Sequence, residues 1–567
     1  MLFKCGILEI KKMKEKILEI LTGIIDELLA EADAAAGNKI VPQLTVPKDK
    51  SHGDFATNAA MVIAKRINKN PRETAEIIKE KLNEKLVGTA SAEIAGPGFI
   101  NFKLSGDAGA EIFKQLFIKG EEIGFSDSAT GKKVNVEYVS ANPTGPLSVG
   151  HGRNAAVGDV VASLYEAVGY DVTREYYFND AGNQMTVLAN SVKTRYLQLL
   201  GIDAKLDENA YQGEYIIDVA KTIYEEHGDS LKETTELDLF KKYAVDAMFD
   251  MIKKSLEKMR VKHDVYFNER SLYADGKIEE TLKKIASLGL SYEKDGAVWF
   301  KAEQFGAEKD RVLVKSNGEP TYRLPDIAYH VEKMKRGYDL IVDIFGADHQ
   351  AQYPDVIACL KAMGFDAEKI KVVIYQFVTI VQNGEAVKMS TRKANYITLD
   401  ELIDDVGVDA TRYFFVMRRL GSHLEFDIEL ARKHSLDNPV FYVQYAHARI
   451  SSIFRHAAEK KPEISLEKIR AENIKPELLN EQEEQDLISH IAQFDELILT
   501  AAKTCEPHRL TGYLEKLAEL FHRYYNLHHV VVDDDKLTLA RLALVIMTQR
   551  VIRNGLQILG VSAPEKM

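Results

Sequence analysis

Strands and helices alternate through the middle of the chain, and this feature restricts its possible folds more than any other. The predicted elements are strands over residues 134–139, 171–178, 340–345 and 371–380, and helices over residues 151–168 and 352–363. A charged, mostly helical insertion near residues 200–290 interrupts the pattern. Such alternation is typical of an α/β fold with a doubly wound parallel sheet, in which ligands bind beyond the carboxyl ends of the strands.

The sequences on either side of this sheet domain predict two further domains. At the front, apolar residues recur at helical spacing through residues 17–29, and a Gly-Pro-Gly turn at 96–98 leads into a strand. From about residue 437 onwards no strand is convincing, and helical spacing recurs over residues 441–454, 487–499, 514–525 and 537–559. We therefore predict a small α/β domain at 1–112, the sheet domain at 124–430 and an all-α bundle at 435–567.

Composition and charge exclude several kinds of protein. The 567 residues carry a formal net charge of −12, which argues against a protein that holds nucleic acid by bulk charge, although local basic patches stay possible. The sequence has no run of about 18 apolar residues, so no membrane span is expected. Cys5, Cys359 and Cys505 lie far apart, without the paired spacing of a zinc site or a disulfide framework. We expect a cytoplasmic multidomain protein without zinc.

A loop rich in glycine and proline follows the first strand of the sheet domain. It contains the run Ser148-Val-Gly-His151-Gly-Arg-Asn154, with the predicted helix beginning at about His151. Glycine lets the backbone approach a phosphate closely, and the positive end of a helix attracts an anion. His151 would be placed to donate to a ligand oxygen. For the glycines alone, a plain loop with a capping histidine is an equally good interpretation.

A second motif lies about 230 residues later and reads Val387-Lys-Met-Ser-Thr-Arg-Lys393. Three cations and two hydroxyls follow a predicted strand, which suits a loop that binds pyrophosphate. Phosphoryl and nucleotidyl transfer depend mainly on positioning and on neutralisation of charge. A short basic run by itself is usually a solvated loop, so the functional interpretation depends on the pairing with the first motif.

The two motifs together resemble the paired signatures of class I aminoacyl-tRNA synthetases, His-Ile-Gly-His and Lys-Met-Ser-Lys-Ser. Longer runs are similar to arginyl-tRNA synthetases, and they stand in family order at residues 51–58, 137–146, 178–184, 389–392, 409–413, 422–427 and 437–449. The resemblance implies a Rossmann-like class I catalytic core. It also implies a ligase that joins arginine to tRNA(Arg) with ATP and Mg²⁺, needs tRNA for activation, and is a cytoplasmic monomer.

Residue roles follow from the same resemblance. The implied catalytic residues are His151, Lys388, Ser390, Arg392 and Lys393. The implied ATP-binding residues are Ser148, Gly150, His151, Asn154, Asp348, His349, Lys388 and Met389. The implied arginine-binding residues are Glu137, Ser140, Asn142, Tyr322 and Asp326. We expect Asp326 to take the guanidinium group, and Glu137 with Asn142 to hold the α-amino group, because carboxylates match the planar donors of a guanidinium.

In the C-terminal bundle, the resemblance implies that Tyr442, Tyr445 and Arg449 contact tRNA, by base stacking and by a phosphate contact. Aromatic residues at that spacing are more often part of a core. We expect Phe521, Tyr524 and Tyr525 to be core residues.

One position departs from the family pattern. The first signature usually has histidine at both ends, but residue 148 is serine. Loss of one such donor typically costs about 10²–10³ in rate, although a serine hydroxyl can still donate. Two alternatives therefore stay open: a non-catalytic or impaired tRNA-binding relative, and another class I enzyme such as a cysteinyl-tRNA synthetase. If the serine is costly, Ser148→His should raise the rate.

Overall fold

A computed structural model describes residues 6–32, 40–45, 53, 55–87, 90–104, 106–347, 350, 353–387, 397–464 and 469–567. The first part of the chain forms a small α/β unit. Its elements are α1 (Gly6–Glu31), β1 (Phe55–Thr57), α2 (Ala59–Ala64), α3 (Pro71–Lys85), β2 (Ala90–Ala95), β3 (Phe99–Leu104) and α4 (Gly106–Lys119). The strands form an antiparallel sheet in the order β1-β3-β2, and the predicted apolar stripe of α1 is buried in one apolar cluster with residues of α2 and α3.

The sheet domain contains the longest series of elements. They are β4 (Lys133–Glu137), α5 (Val149–Ala167), β5 (Asp171–Phe178), α6 (Asn183–Leu199), α7 (Glu214–His227), α8 (Asp238–Lys258), β6 (Val265–Asn268), α9 (Arg270–Ala274), α10 (Lys277–Ser287), β7 (Ser291–Lys294), β8 (Ala297–Phe300), β9 (Arg311–Val314), α11 (Arg323–Lys335), β10 (Leu340–Gly346), α12 (Tyr353–Ala362), β11 (Ile370–Tyr375), β12 (Val378–Gln382), β13 (Glu385–Ala386), α13 (Leu399–Val406), α14 (Val408–Val416), β14 (Leu424–Asp427) and α15 (Ile428–Arg432).

Five of these strands form the central sheet, in the order β11-β10-β4-β5-β6, and every neighbouring pair is parallel. Helices α5 and α14 cover one face, and helices α11 and α12 cover the other. The chain runs outward from β4 through β5 to β6 and then returns to the other side of β4 as β10. The prediction of a doubly wound parallel sheet is confirmed. A crevice for ligands is expected where the strand order reverses, between β4 and β10.

The structure corrects two predicted elements of this domain. Strand β6 lies inside the supposed helical insertion, and it completes one edge of the central sheet. The predicted strand over 371–380 is two strands, because the backbone turns at Gln376, whose carbonyl accepts from the buried Arg153 guanidinium at 2.5 Å. The second of them, β12, pairs with β13 and β14 in a separate sheet.

The C-terminal part of the chain is helical, as predicted. Its helices are α16 (Pro439–Lys460), α17 (Gln482–Ile491), α18 (Phe494–Thr504), α19 (His508–Leu527) and α20 (Asp535–Ile558). The helix predicted over 487–499 is wrong, because the chain bends at 492–493 and forms α17 and α18 there. The apolar core of the bundle is continuous with the α5 face of the central sheet.

Arg412 on α14 ties the bundle to α5. Its guanidinium is fully buried and donates to the Leu559 carbonyl at 2.9 Å, to the Met259 carbonyl at 2.7 Å and to Asp159 at 2.5 Å. Gly560 has a φ of +66°, and a Cβ at that position would lie 2.2 Å from the guanidinium. The turn that follows α20 therefore requires glycine at position 560, because any side chain there would displace the Arg412 guanidinium.

We expect Arg412→Met to lower the free energy of unfolding by about 3 kcal/mol, because the buried Asp159 carboxylate loses its closest cation. The cost should not be larger, since Arg174 still lies 3.6 Å from the other oxygen of Asp159. Urea denaturation followed by circular dichroism measures this change. As a matched control, Arg432→Met removes an exposed pair with Asp405 and should cost less than about 1 kcal/mol. Equal effects of the two variants would contradict the role given to Arg412.

Candidate active site

The loop between β4 and α5 has an unusual backbone. Val139 has a φ of +69° and Ser140 a φ of +43°. Residues other than glycine rarely adopt positive φ, and β-branched residues such as valine do so least of all. Asn154 supports this turn, because its Oδ1 accepts from the Val139 backbone N–H at 3.1 Å and its Nδ2 donates to the Ile344 carbonyl at 3.1 Å. Such strain persists only where the surrounding structure enforces it, and it is concentrated at functional sites. The predicted contact of Asn154 with a nucleotide stays a prediction.

Ser148 is the N-cap of α5 and orients His151. Its hydroxyl accepts from the His151 backbone N–H at 3.4 Å, and its own backbone N–H donates to Nδ1 of His151 at 3.3 Å. Because Nδ1 accepts a hydrogen bond, the proton of the neutral imidazole lies on Nε2, where it can be donated. The serine that departs from the family pattern therefore has a structural role of its own. Gly150 lies beside it, and a Cβ there would meet the Ser148 hydroxyl at 3.6 Å.

We expect Ser148→Ala to destabilise the protein by about 1 kcal/mol, because the side-chain cap of α5 is lost. The measurement is the midpoint of thermal unfolding. Ser148→Thr is the matched control, since threonine also caps helices, and it should retain most of the stability. If alanine and serine proved equally stable, the capping role would be refuted.

The chain that follows the second motif lies directly against the start of α5. Ser148 pairs with Thr398 in an isolated antiparallel bridge, and the Leu399 backbone N–H donates to the Leu147 carbonyl at 2.8 Å. The fit is close, because a Cβ on Gly152 would lie 2.5 Å from Leu399. Two segments about 250 residues apart in the sequence thus meet at the carboxyl edge of the central sheet.

Several predicted residues lie outside the described part of the chain. They are Asp348, His349, Lys388, Met389, Ser390, Arg392 and Lys393. Described residues lie just before each of these two segments in the sequence. Gly346 ends β10 beside β4, and Val387 is tied back to β12 by a 2.9 Å hydrogen bond to the Ile380 carbonyl.

Carboxylates collect beside the β4–α5 loop. Glu137 is the last residue of β4 and is buried, with Ser140 donating to it at 2.9 Å. Asp326 lies in the first turn of α11, and burial raises its pKa to about 7, with Glu269 and Glu137 adding to the rise against the opposing influence of His330 and Arg323. In the described part of the chain, its carboxylate has no ion-pair partner or hydrogen-bond donor. This arrangement suits a cationic ligand.

Glu269 is a candidate residue that the sequence did not reveal. It follows β6, accepts from the Tyr177 hydroxyl at 2.6 Å and from Nδ2 of Asn179 at 2.8 Å, and burial raises its pKa. Sequence reasoning missed it because β6 was not recognised as a strand of the sheet. The signal was the short run Val265-Tyr-Phe-Asn268, rich in residues that favour strands, just before the glutamate.

The other predicted arginine-binding residues line the same edge. Asn142 is exposed, accepts from the Asn179 backbone N–H at 3.0 Å and donates to Gln184 at 3.0 Å, so the resembling runs 137–146 and 178–184 contact each other. Tyr322 precedes α11 by one residue, and its side chain is 80% exposed. It lies one helical turn before Asp326, as expected from their spacing.

The predicted tRNA-binding residues form a surface cluster on α16 and α19. The guanidinium of Arg449 lies 4.7 Å from the ring centres of both Tyr445 and Tyr525, and Tyr442 and Tyr445 contact the ring of His522. Phe521 and Tyr524 are core residues, as predicted. The prediction for Tyr525 is wrong, because its ring lies at the surface, 39% exposed, where it faces Arg449.

The described residues also lack the features of two other kinds of protein. They contain no group of three or more histidine, cysteine, aspartate or glutamate side chains arranged to hold a metal ion. In the same part of the chain, no helix combines the length and the apolar character that crossing a bilayer requires.

Comparisons with known proteins agree with this geometry. The family model described as "tRNA synthetases class I (R), catalytic domain" matches residues 113–415. The "Arginyl tRNA synthetase N terminal domain" matches residues 12–104, and the "DALR anticodon binding domain" matches residues 443–567. The fold is that of the Thermus thermophilus arginyl-tRNA synthetase, with a TM-score of 0.75 and 22% identity over 97% of this chain and 100% of that chain.

Two curated relatives are similar over nearly their full lengths. An arginine–tRNA ligase of Desulfotalea psychrophila is 47% identical over 94% of this chain and 96% of its own length. An arginine–tRNA ligase of Chlorobaculum tepidum is 47% identical over 96% of this chain and 98% of its own length. The sheet topology, the contact of Ser148 in the first motif with Thr398, which follows the second motif along the chain, and the catalytic-domain match define a class I aminoacyl-tRNA synthetase. Within that class, the chain belongs to the arginyl-tRNA synthetase family.

Proposed function

We propose that this chain is an arginine–tRNA ligase, which converts ATP, L-arginine and tRNA(Arg) into arginyl-tRNA(Arg), AMP and diphosphate. The observation that carries the proposal is the contact of Ser148, in the first signature, with Thr398, which follows the second signature along the chain. The buried carboxylate of Glu137 accepts from Ser140 in the same loop, and its charge acts on Asp326. The similarity to curated arginine–tRNA ligases supports the same reaction, and nothing in it favours the non-catalytic alternative.

In the first step the arginine carboxylate attacks the α-phosphorus of ATP, diphosphate leaves, and arginyl-adenylate forms. No general base is required, because the attacking carboxylate is already ionised near pH 7. The helix start at Ser148, Gly150 and His151 faces the triphosphate, and Nε2 of His151 donates to a phosphate oxygen. The chain supplies the remaining positive charge from Lys388, Arg392 and Lys393, with Mg²⁺ carried by the ATP.

The other predicted nucleotide contacts complete this site. Ser390 and Met389 accompany the cations of the second motif. Asp348 and His349 follow β10 and contact the ribose and adenine. Asn154 contributes indirectly. Its side-chain oxygen accepts from the Val139 backbone N–H and so holds the strained turn in place.

Arginine is selected by charge and by planar hydrogen bonding. Asp326 accepts from the guanidinium, and Tyr322 covers it from the mouth of the pocket. Glu137 and Asn142 hold the α-amino group, and Ser140 fixes Glu137. A site built to satisfy a substrate's hydrogen bonds rejects analogues that lack them by about 10⁴–10⁵. No editing domain is then needed.

In the second step a ribose hydroxyl of the terminal adenosine of tRNA attacks the adenylate carbonyl, and AMP leaves. By class I analogy this is the 2′-hydroxyl. Tyr442, Tyr445 and Arg449 provide stacking surfaces and positive charge for the tRNA, supported by the cluster with Tyr525. We propose further that the enzyme is a cytoplasmic monomer and that it needs tRNA even for the first step.

The deciding experiment is exchange of labelled diphosphate into ATP. We expect exchange that requires both arginine and tRNA(Arg). Lysine or cysteine in place of arginine should give none. Exchange driven by a different amino acid would refute the assignment of arginine as the substrate. Tight tRNA binding without any exchange would instead identify a non-catalytic tRNA-binding protein.

Arginine binding should strengthen as the pH rises. In the free enzyme the pKa of Asp326 is raised to about 7, so below that pH the group is neutral and cannot pair with a guanidinium. Each pH unit below this value should weaken arginine binding by up to about tenfold, and binding should level off above it. Titration calorimetry between about pH 6 and about pH 8 measures the effect. In Asp326→Asn the slope should vanish. If the affinity for arginine depended on pH equally in that variant, the pH dependence would belong to another group.

A further inference from the structure

Three carboxylates lie side by side across the middle of the central sheet. Asp343 on β10 is in register with Glu137 on β4, and Glu137 is in register with Glu175 on β5. All three side chains are at most 3% exposed. Burial of unpaired charge is costly, so such a row can persist only where cations neutralise it.

Helix α11 supplies the cations for this row. Arg336 donates to both oxygens of Glu175, at 2.8 and 2.9 Å. Lys333 donates to Glu137 and, at 2.6 Å, to Asp343. The two nitrogens of His330 face a carbonyl at 2.7 Å and Asp343 at 3.0 Å, so the doubly protonated ring satisfies both acceptors. Three carboxylates then face three cations.

Lys333 holds the central carboxylate of this row. Its ammonium is fully buried, and burial would lower its pKa, but Asp343, Glu137 and Glu175 raise the pKa above its ordinary value and keep the group charged. One oxygen of Glu137 accepts from Lys333 and the other accepts from Ser140. The carboxylate therefore cannot rotate without breaking a buried ion pair.

The same helix carries Asp326. Seven residues separate Asp326 from Lys333, which places them two turns apart on one face, with an axial separation of about 10 Å. Glu137 and Asp326 are the two ends of the proposed arginine pocket. One belongs to the sheet and the other to α11, so their separation depends on how α11 is fixed to β4. Lys333 makes that connection directly.

We propose that Lys333 is a positioning residue that sets the distance between the two ends of the arginine pocket, and that the enzyme thereby measures the length of the substrate side chain. The proposal rests on the proposed function, because it takes Glu137 and Asp326 as the groups that bind the two ends of arginine. Lys333 itself does not touch the substrate. It acts through Glu137 and through the placement of α11.

The test compares Lys333→Met with Arg336→Met in tRNA-dependent exchange of diphosphate, with L-arginine and with L-homoarginine, which is one methylene longer. One methylene ordinarily changes specificity by about 10–200-fold. In Lys333→Met we expect the KM for arginine to rise by about tenfold or more, and the preference for arginine over homoarginine to fall by about tenfold. The KM for ATP should not change. Arg336→Met removes a neighbouring ion pair that touches neither end of the pocket, and it should keep the preference of the wild type.

A purely structural role would produce a different result. It would lower the melting temperature and the active fraction of both variants alike, with equal losses for the two substrates, and this outcome overturns the proposal. If Lys333→Met does not fold, Lys333→Arg keeps one cation facing Glu137 and Asp343 but changes the length and shape of the side chain that joins them. The same loss of length preference is expected from it, and a wild-type preference in a folded Lys333→Arg, or failure of this charge-conserving variant to fold, would show that Lys333 is structural. Absence of arginine-dependent exchange in the wild type would refute the proposed function instead.

Discussion

Replacing Asp326 with asparagine should lower kcat/KM for arginine by roughly 30- to 5,000-fold, which corresponds to about 2–5 kcal/mol. The amide keeps the shape of the side chain but cannot neutralise a guanidinium, and half of its hydrogen-bonding capacity becomes a donor that faces the donors of the substrate. The loss should appear mainly as a higher KM for arginine. The KM for ATP should stay close to that of the wild type.

Steady-state exchange of diphosphate, with arginine varied at saturating tRNA and ATP, measures this effect. Asp218→Asn is the matched control, because it makes the same chemical change in an exposed pair with Lys221 on α7, and it should leave the kinetics unaltered. A variant at Asp326 that retained the KM of the wild type would show that the guanidinium binds elsewhere. Glu269 would then be the next residue to examine, because its carboxylate raises the pKa of Asp326 and so lies nearby.

Replacing His151 with alanine should lower kcat by about 10²–10³-fold, the usual cost of one preorganised donor to a developing charge. The hydrogen bond from the Ser148 backbone to Nδ1 puts the ring proton on Nε2, the atom that we propose donates to a phosphate oxygen. The interaction strengthens as charge builds up on the leaving diphosphate. The loss should therefore fall on kcat, with little change in the KM for arginine.

Single-turnover formation of arginyl-adenylate distinguishes this effect from a defect in binding or product release. His227→Ala, in the helical insertion, is the control and should react at the rate of the wild type, because its ring pairs with Tyr243 within that insertion. An effect of His151→Ala confined to the KM for ATP would contradict a transition-state role. It would leave His151 as a residue that only binds nucleotide.

Local patterns predicted the parts of the fold that depend on local sequence. Strand β5 lies where alternation placed it, at Asp171–Phe178, and α5 begins within two residues of the predicted start. Strand β6 was missed because four residues among charged helices give little periodic signal. The helix over 487–499 was predicted as one element because its apolar spacing continues across the bend between α17 and α18.

In the candidate site too, some contacts could be predicted from local sequence and others depend on the tertiary fold. Glu137 ends one strand, and Ser140 and Asn142 follow it within five residues, so their proximity could be predicted from the sequence together with the family resemblance. The contacts of Lys333 with Glu137 and of Ser148 with Thr398 join residues that only the order of strands and sheets brings together. A buried lysine in a helix also resembles an ordinary surface lysine in sequence. Nothing local shows that this face of α11 lies on the sheet.

The central claim is that the segment at residues 148–151 and the segment at residues 388–393 hold one triphosphate between them. Amide hydrogen exchange, followed by mass spectrometry with a non-hydrolysable ATP analogue, arginine and tRNA(Arg), tests it directly. Exchange should slow in both segments together and at the same concentration of the analogue. Slowing in only one segment, at a concentration where calorimetry shows the analogue to be bound, would contradict the claim.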